Sequence, residues 1–160
     1  MVTLDTEAER TLFFDYFPAS LGSVGGLQIQ IDFFTVPGQS FYNATRRSVL
    51  RGVDGLVFVA DSSPSRESAN ELSRNNMIDN LRALSLDPAN IPLVYQWNKR
   101  DVERAMPISL MERVLNPDGR KSIEASAVNG DGVWETQRLI VADTVRALKQ
   151  RMTDVSRAST

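Results

Sequence analysis

The sequence contains no cysteine and no histidine. It therefore has no disulfides, no thiolate nucleophile, no acid/base pair built on histidine and no zinc site of the Cys/His type. Any catalysis by this chain has to use carboxylates, amides, hydroxyls, lysine or arginine.

A strong net charge and long apolar runs are also lacking. The 160 residues carry 18 Lys and Arg against 20 Asp and Glu, a formal net charge of −2. This balance indicates neither a nucleic-acid partner nor an anionic membrane surface. No apolar run approaches the ~20 residues of a membrane span, and the N-terminal residues lack the pattern of a signal peptide. The composition predicts a cytoplasmic protein without membrane insertion, with one domain over residues 1–152 and a polar tail over residues 153–160.

Apolar patterning predicts alternating strands and helices. Strands are predicted at residues 11–17, 27–36, 53–61, 91–97 and 121–126, and helices at 40–52, 61–84, 106–115 and 130–152. The first two strands predict an antiparallel edge hairpin with a long Pro/Ser/Gly loop between them. The strand at 53–61 is almost continuously apolar, which is typical of a central parallel strand. The pattern predicts an α/β fold, an open sheet with helices on both faces.

Two helices are expected to cover the sheet through apolar stripes. In the helix at 61–84 the stripe consists of Leu72, Met77, Ile78, Leu81 and Leu84. In the helix at 130–152 it consists of Val141, Val145, Leu148 and Met152. The polar residues after 152 are expected to fray.

Polar residues follow several of these strands. Because ligands of open α/β sheets bind outside the carboxyl ends of the strands, we expect these residues to converge on one rim. They are residues 35–39, Asp61, residues 98–101, Ser126 and Ala127.

The segment Asn98-Lys99-Arg100-Asp101 has the chemistry to recognise guanine. A carboxylate such as that of Asp101 accepts two hydrogen bonds at once from the ring N–H and the exocyclic amino group of guanine, a pair that adenine lacks. The stem of Lys99 can lie along the base plane. Lysine and aspartate also follow strands simply because loops are solvated, so the tetrapeptide alone leaves both interpretations open.

Taken together, TVPGQ at residues 35–39, NKRD at 98–101 and SA at 126–127 resemble three guanine-nucleotide motifs of small Ras-like GTPases in type, order and spacing. ERTLFFDYFP at 9–18 and the run at 35–62 are similar to the MglA family of bacterial gliding-motility and cell-polarity GTPases. Thr35 fits that family, which replaces the usual Asp at the start of this motif. The resemblance implies a Ras-like P-loop NTPase fold that binds GTP or GDP with Mg²⁺.

The resemblance also implies roles for residues near the phosphates. Gly38 would approach the terminal phosphate through its backbone N–H, and Gln39 would orient the attacking water. Arg10 would act as an arginine finger in cis, and Thr11 would coordinate Mg²⁺. In isolation, Arg10 could equally be a solvated residue, Gln39 the start of a helix and Thr11 an ordinary strand residue.

For the base, the resemblance implies that Asn98 and Asp101 read guanine and that Lys99 supports the ring. Ser126 and Ala127 would form the remaining nucleotide-binding loop, with the Ala127 backbone N–H meeting the guanine carbonyl. These two residues could also be a small-residue turn ahead of a helix.

The phosphate-binding loop of the family, which ends in Gly-Lys-Ser or Gly-Lys-Thr, is not found in this sequence. The glycines at residues 22–26 lack a following lysine and precede a strand, so they indicate a turn. By resemblance, the leading strand, the phosphate loop and the following helix are missing, and the strand would lie between those at 27–36 and 53–61. We expect the sequence to be an incomplete version of a longer protein, with weak nucleotide affinity and negligible GTP hydrolysis.

The leading hypothesis is a GTPase switch whose partners, by resemblance, are a roadblock-type GTPase-activating protein and motility or polarity proteins. These would engage the hairpin and the helix that carries Phe41 and Tyr42. The alternative is a catalytically dead pseudo-GTPase that acts as an interaction module. A phospho-acceptor receiver domain using Asp61 is weaker, because its acidic pair is absent and Asp61 is explained as a helix cap.

Overall fold

The computed structural model describes residues 16–24, 27–36 and 43–158. They belong to two compact units, Met1–Arg51 and Gly52–Thr160. The prediction that residues 1–152 form one domain stays a prediction. None of the described helices contains a stretch long and apolar enough to cross a membrane.

The first unit contains an antiparallel hairpin of β1 (Tyr16–Val24) and β2 (Leu27–Phe34), followed by helix α1 (Asn43–Leu50). The predicted antiparallel pairing is confirmed, but residues 11–15 of the predicted first strand lie outside the described residues. The predicted long loop is wrong, because β1 continues through Pro18 to Val24. An outer strand tolerates proline, whose missing N–H can face away from its partner. The register shifts between Ser20 and Gly22, as at a β-bulge, and Gly22 has a φ of +76°.

The second unit contains a three-stranded parallel sheet, with β3 (Leu56–Asp61), β4 (Leu93–Asn98) and β5 (Ser122–Glu124) in that order. Its helices are α2 (Glu67–Ala83), α3 (Ile108–Leu115) and α4 (Val133–Ala158). Short 3-10 turns lie at Pro64–Arg66 and Pro88–Asn90. The predicted alternation of parallel strands and helices is confirmed.

Helices lie on both faces of the sheet of the second unit, as predicted. On one face, the Tyr95 ring lies 5.6 Å from that of Phe58 and 5.3 Å from that of Trp97, measured between ring centroids. Residues before and within α3 complete this core: Met106, Met111 and Leu115. On the other face, the side chain of Gln96 in β4 donates a buried hydrogen bond of 2.9 Å to the Thr136 hydroxyl in α4.

Strand β3 does not have the predicted central position. It is an edge strand of the three-stranded sheet within the described part of the chain, and Val59 is 53% exposed. β4 is central, and Leu93–Trp97 are all buried. An apolar run indicates burial, but it does not tell the order of neighbouring strands.

The predicted stripe of α2 is wrong at Leu72, which is 71% exposed, whereas Asn70 and Asn80 are buried. The amide of Asn70 pairs with the backbone of Asp61: its oxygen accepts the Asp61 N–H at 3.1 Å and its nitrogen donates to the Asp61 carbonyl at 2.8 Å. A polar side chain that completes the hydrogen bonds of a strand end can be buried at little cost. Apolar spacing alone cannot reveal such a position.

Helix α4 continues to Ala158 through residues predicted to fray. Its 26 residues span roughly 39 Å, whereas the six residues of β4 span about 20 Å. Its C-terminal half therefore extends past the sheet. This explains why Leu148 and Met152, predicted to face the sheet, are exposed.

Candidate functional site

The carboxyl ends of the three parallel strands form the predicted rim. Asp61 at the end of β3 is in register with Asn98 at the end of β4. β5 ends at Glu124 beside β4, and Ser126 and Ala127 follow after Ala125. The predicted convergence on one edge is therefore present for Asp61, Asn98, Ser126 and Ala127, whereas that of residues 35–39 stays a prediction.

Asn98 joins the loops that follow the three strands. Its side-chain oxygen accepts the backbone N–H of Ala127 at 2.9 Å. Its backbone carbonyl accepts the N–H of Ser62, the residue after β3, also at 2.9 Å. One residue thus holds the loops after β3 and β5 against the end of β4.

Asp101 is bound to the same loop through the buried Ser126, whose hydroxyl donates to one Asp101 carboxylate oxygen at 2.5 Å. The second oxygen of Asp101 accepts no hydrogen bond from the part of the chain that the structure describes. A recess of about 260 Å³ opens beside this pair and is also lined by Arg100, Asn129 and Asp131. The exposed carboxylate of Asp101 is therefore available to a ligand in this region.

Lys99 is held by the end of the neighbouring strand. Its ammonium lies 3.0 Å from an Asp61 carboxylate oxygen, and its backbone adopts a left-handed φ of +63°. The guanidinium of Arg66 is 3.6 Å from the same oxygen. Partial burial raises the pKa of Asp61, but hydrogen bonds from Ser63 and the charge of Lys99 outweigh it and lower this pKa below its ordinary value.

Arg100, the third residue of the tetrapeptide, stabilises the loop through contacts with neighbouring segments. Its guanidinium donates to the Met106 carbonyl at 2.7 Å and lies 3.2 Å from Glu124, while its backbone N–H donates to Ala125 at 3.0 Å. The sequence interpretation assigned no role to Arg100. The position of a long charged side chain between Lys99 and Asp101 was the sequence signal that could have indicated this role.

Gly132 is a second position that the sequence interpretation missed. Its φ is +71°, and a Cβ there would lie 2.1 Å from the Glu124 carbonyl oxygen. The turn before it is held by backbone hydrogen bonds in both directions between Ser126 and Asp131. Only glycine allows α4 to begin this close to β5.

Four predicted site residues lie outside the described residues: Arg10, Thr11, Gly38 and Gln39. Their proposed roles therefore stay predictions. The described ranges contain no group of three or more acidic side chains that could hold a metal ion, so they supply no Mg²⁺ site of that kind.

Two characterised proteins are similar to this chain over most of its length. "Mutual gliding-motility protein MglA" of Myxococcus xanthus (strain DK1622) is 41% identical over 150 residues, which are 94% of this chain and 77% of that protein. The chain belongs to the MglA family of small Ras-like GTPases. "ADP-ribosylation factor-like protein 6" of Caenorhabditis elegans is 27% identical over 125 residues, 75% of this chain and 65% of that protein. No protein-family model matches the chain.

Membership of the MglA family agrees with the architecture of the second unit. The parallel sheet with helices on both faces is consistent with the Ras-like P-loop GTPase fold, as predicted. In this family member, the NKRD loop and the Ser126–Ala127 loop lie on the same rim.

Proposed function

We propose that this protein is a guanine-nucleotide switch and that the rim formed by the NKRD loop and the Ser126–Ala127 loop reads the base. The observation that carries the proposal is the pair of hydrogen bonds that joins the two loops, Asn98 to Ala127 at 2.9 Å and Asp101 to Ser126 at 2.5 Å. Residues far apart in the sequence are thereby held in one short arc, as a base-reading site requires.

The chemistry of the arc matches guanine. Asp101 offers an oxygen without a hydrogen bond from the described residues, and its other oxygen has a second lone pair beside the Ser126 hydroxyl. The two oxygens can together accept the ring N–H and the exocyclic amino group. The Ala127 N–H points at the Asn98 side chain. An incoming guanine carbonyl would share this N–H with the Asn98 side-chain oxygen, and the Asn98 amide nitrogen would donate to the base edge.

Hydrolysis of GTP with Mg²⁺ is the proposed activity of the switch. Arg10 and Gln39 would act at the transition state, Gly38 at the terminal phosphate and Thr11 at the metal. The sequence contains no Gly-Lys-Ser or Gly-Lys-Thr loop to hold the phosphates. We therefore expect the 160-residue chain by itself to bind nucleotide weakly and to hydrolyse GTP negligibly.

The proposed biological role is gliding motility, which is supported by the name of the Myxococcus relative, or cell polarity, which rests on the sequence resemblance. A roadblock-type GTPase-activating protein is the proposed partner. GTP turnover of the 160-residue chain should be compared with that of a version extended upstream. Normal turnover by the shorter chain would contradict the expectation of negligible hydrolysis.

Replacement of Asp101 by asparagine tests base recognition. In Asp101→Asn the new amide nitrogen is a donor that faces the exocyclic amino group of guanine, which is also a donor, so the two repel. Xanthine has a carbonyl at the same position, C2, and this oxygen can accept a hydrogen bond from the amide. We expect a roughly ten- to hundredfold loss in GDP affinity, as for hydrogen bonds to a charged group, and a gain in affinity for xanthosine diphosphate. The measurement is calorimetric titration with both nucleotides.

Asp79→Asn is the matched control, because it makes the same chemical change at an exposed position of α2. It should leave both affinities unchanged. An unchanged preference for GDP over xanthosine diphosphate in Asp101→Asn would refute base reading by this rim. A partner complex that survives Asp101→Ala in a chain that never binds GDP would favour the pseudo-GTPase alternative.

A further inference from the structure

We propose that Asp61 is a positioning residue for the nucleotide: its carboxylate holds Lys99 so that the lysine stem is ready to lie across the base. This inference rests on the proposed function of the rim. Asp61 itself touches no base in this scheme and acts only through Lys99. The sequence interpretation treated Asp61 as a helix cap.

The ion pair between the two residues is well suited to orientation. The Lys99 ammonium lies 3.0 Å from an Asp61 carboxylate oxygen, and the Asp61 side chain is 18% exposed, whereas that of Lys99 is 55% exposed. The partly buried carboxylate is thus the fixed partner and the lysine the movable one. Since the Lys99 backbone follows β4 and its ammonium lies at the end of β3, the stem spans the ends of the two strands.

Asp61 is itself held firmly. Both polar groups of its backbone are paired with the amide of Asn70, at 3.1 and 2.8 Å. Its other carboxylate oxygen accepts the backbone N–H of Ser63 at 2.9 Å. A carboxylate fixed by these contacts can transmit its position to Lys99.

The backbone of Lys99 adds a second constraint. Its φ of +63° lies in the left-handed region, which residues with a Cβ adopt only where the surroundings impose it. Lysine side chains have high rotamer entropy. A base that stacks on an unrestrained lysine stem fixes its rotamers, and this loss of entropy weakens binding. An ion pair formed before binding removes part of that cost in advance, which is the general benefit of preorganisation.

A double-mutant cycle separates this role from a purely structural one. Asp61→Asn keeps an oxygen for the Ser63 N–H but removes the charge that holds Lys99, and Lys99→Met keeps an apolar stem but removes the ammonium. The GDP dissociation constant of the 160-residue chain is measured for both single variants and for the double variant. We expect Asp61→Asn to weaken binding about fivefold, the effect of one partly exposed ion pair.

The expected signature is non-additivity: in the Lys99→Met background, Asp61→Asn should cause no further loss of affinity. A capping role of Asp61 would persist in that background. Arg66→Gln is the matched control, because it removes the other cation near Asp61, at 3.6 Å, and leaves Lys99 in place. It should change GDP affinity by less than about twofold.

The possible failures are distinguishable. If the Asp61 and Lys99 effects are additive, or if Arg66→Gln weakens binding as much as Asp61→Asn, the positioning role is wrong, although a base switch in Asp101→Asn would leave the proposed function standing. If the wild-type chain binds no GDP at millimolar concentration, base reading by this chain and the role of Asp61 are both refuted.

Discussion

The carboxylate of Glu112 connects α3 to the strands that carry the candidate site. It accepts hydrogen bonds from the Trp97 indole N–H at 2.9 Å and from the Asn116 amide at 2.6 Å, and a short one from the Ser122 hydroxyl. Trp97 and Asn116 are both buried, and Trp97 immediately precedes Asn98. We predict that Glu112→Ala strongly destabilises the second unit.

The magnitude follows from the donors that lose their acceptor. A buried group left without a partner costs about 1–3 kcal/mol. The Trp97 N–H incurs this cost in full, whereas the Asn116 amide keeps a bond of 2.7 Å to the Arg120 carbonyl and incurs less. The total is about 2–4 kcal/mol, a large share of the roughly 5–15 kcal/mol that stabilises a typical protein. The thermal midpoint should fall by roughly 5–15 °C.

The assay is urea unfolding followed by far-UV circular dichroism. Glu71→Ala is the matched control, because Glu71 is exposed on α2 and its replacement should change the free energy of unfolding by less than about 0.5 kcal/mol. Glu112→Gln, which keeps one acceptor oxygen, should lie between the two. Equal unfolding free energies for Glu112→Ala and Glu71→Ala would refute the reasoning.

Two further predictions concern the rim. Gly132→Ala should destabilise the protein by about 1–3 kcal/mol more than Gly130→Ala, because both positions have a positive φ but only the first Cβ would meet the Glu124 carbonyl; equal losses in thermal unfolding would contradict this. The lowered pKa of Asp61 predicts that its charged form stabilises the fold above the ordinary aspartate pKa. The difference in unfolding free energy between wild type and Asp61→Asn should therefore shrink as the pH falls through the Asp61 pKa, and a difference that grows on acidification would have the wrong sign.

Much of the rim could be predicted from the sequence. The apolar runs placed one strand end correctly at Asp61 and the other within one residue of Asn98, and parallel strands bring their carboxyl ends to one edge. The pairing of Asp61 with Lys99 could not be predicted, because it depends on a left-handed backbone at a lysine. No residue pattern indicates that conformation outside glycine, asparagine and aspartate.

The helices, too, could be predicted from the sequence only in part. The periodicity predicted where α2, α3 and α4 lie, but it misjudged Leu72 on α2 and gave no indication that Asn70 is buried. Burial of Asn70 depends on the unpaired backbone groups of Asp61, which appear only once β3 and α2 are packed together. The spacing of apolar residues predicts which apolar side chains are buried. It contains no information about the hydrogen-bond partners of a buried amide.

By itself, the sequence determined the alternation of strands and helices and, through its motifs, the family. These properties follow from residue type and from local spacing. Only the tertiary structure decided that β3 is an edge strand in the described sheet, that Asn98 binds Ala127 and that Asp61 binds Lys99. Each of these contacts joins residues far apart along the chain, and their meeting depends on strand order and backbone conformation, which local spacing does not encode.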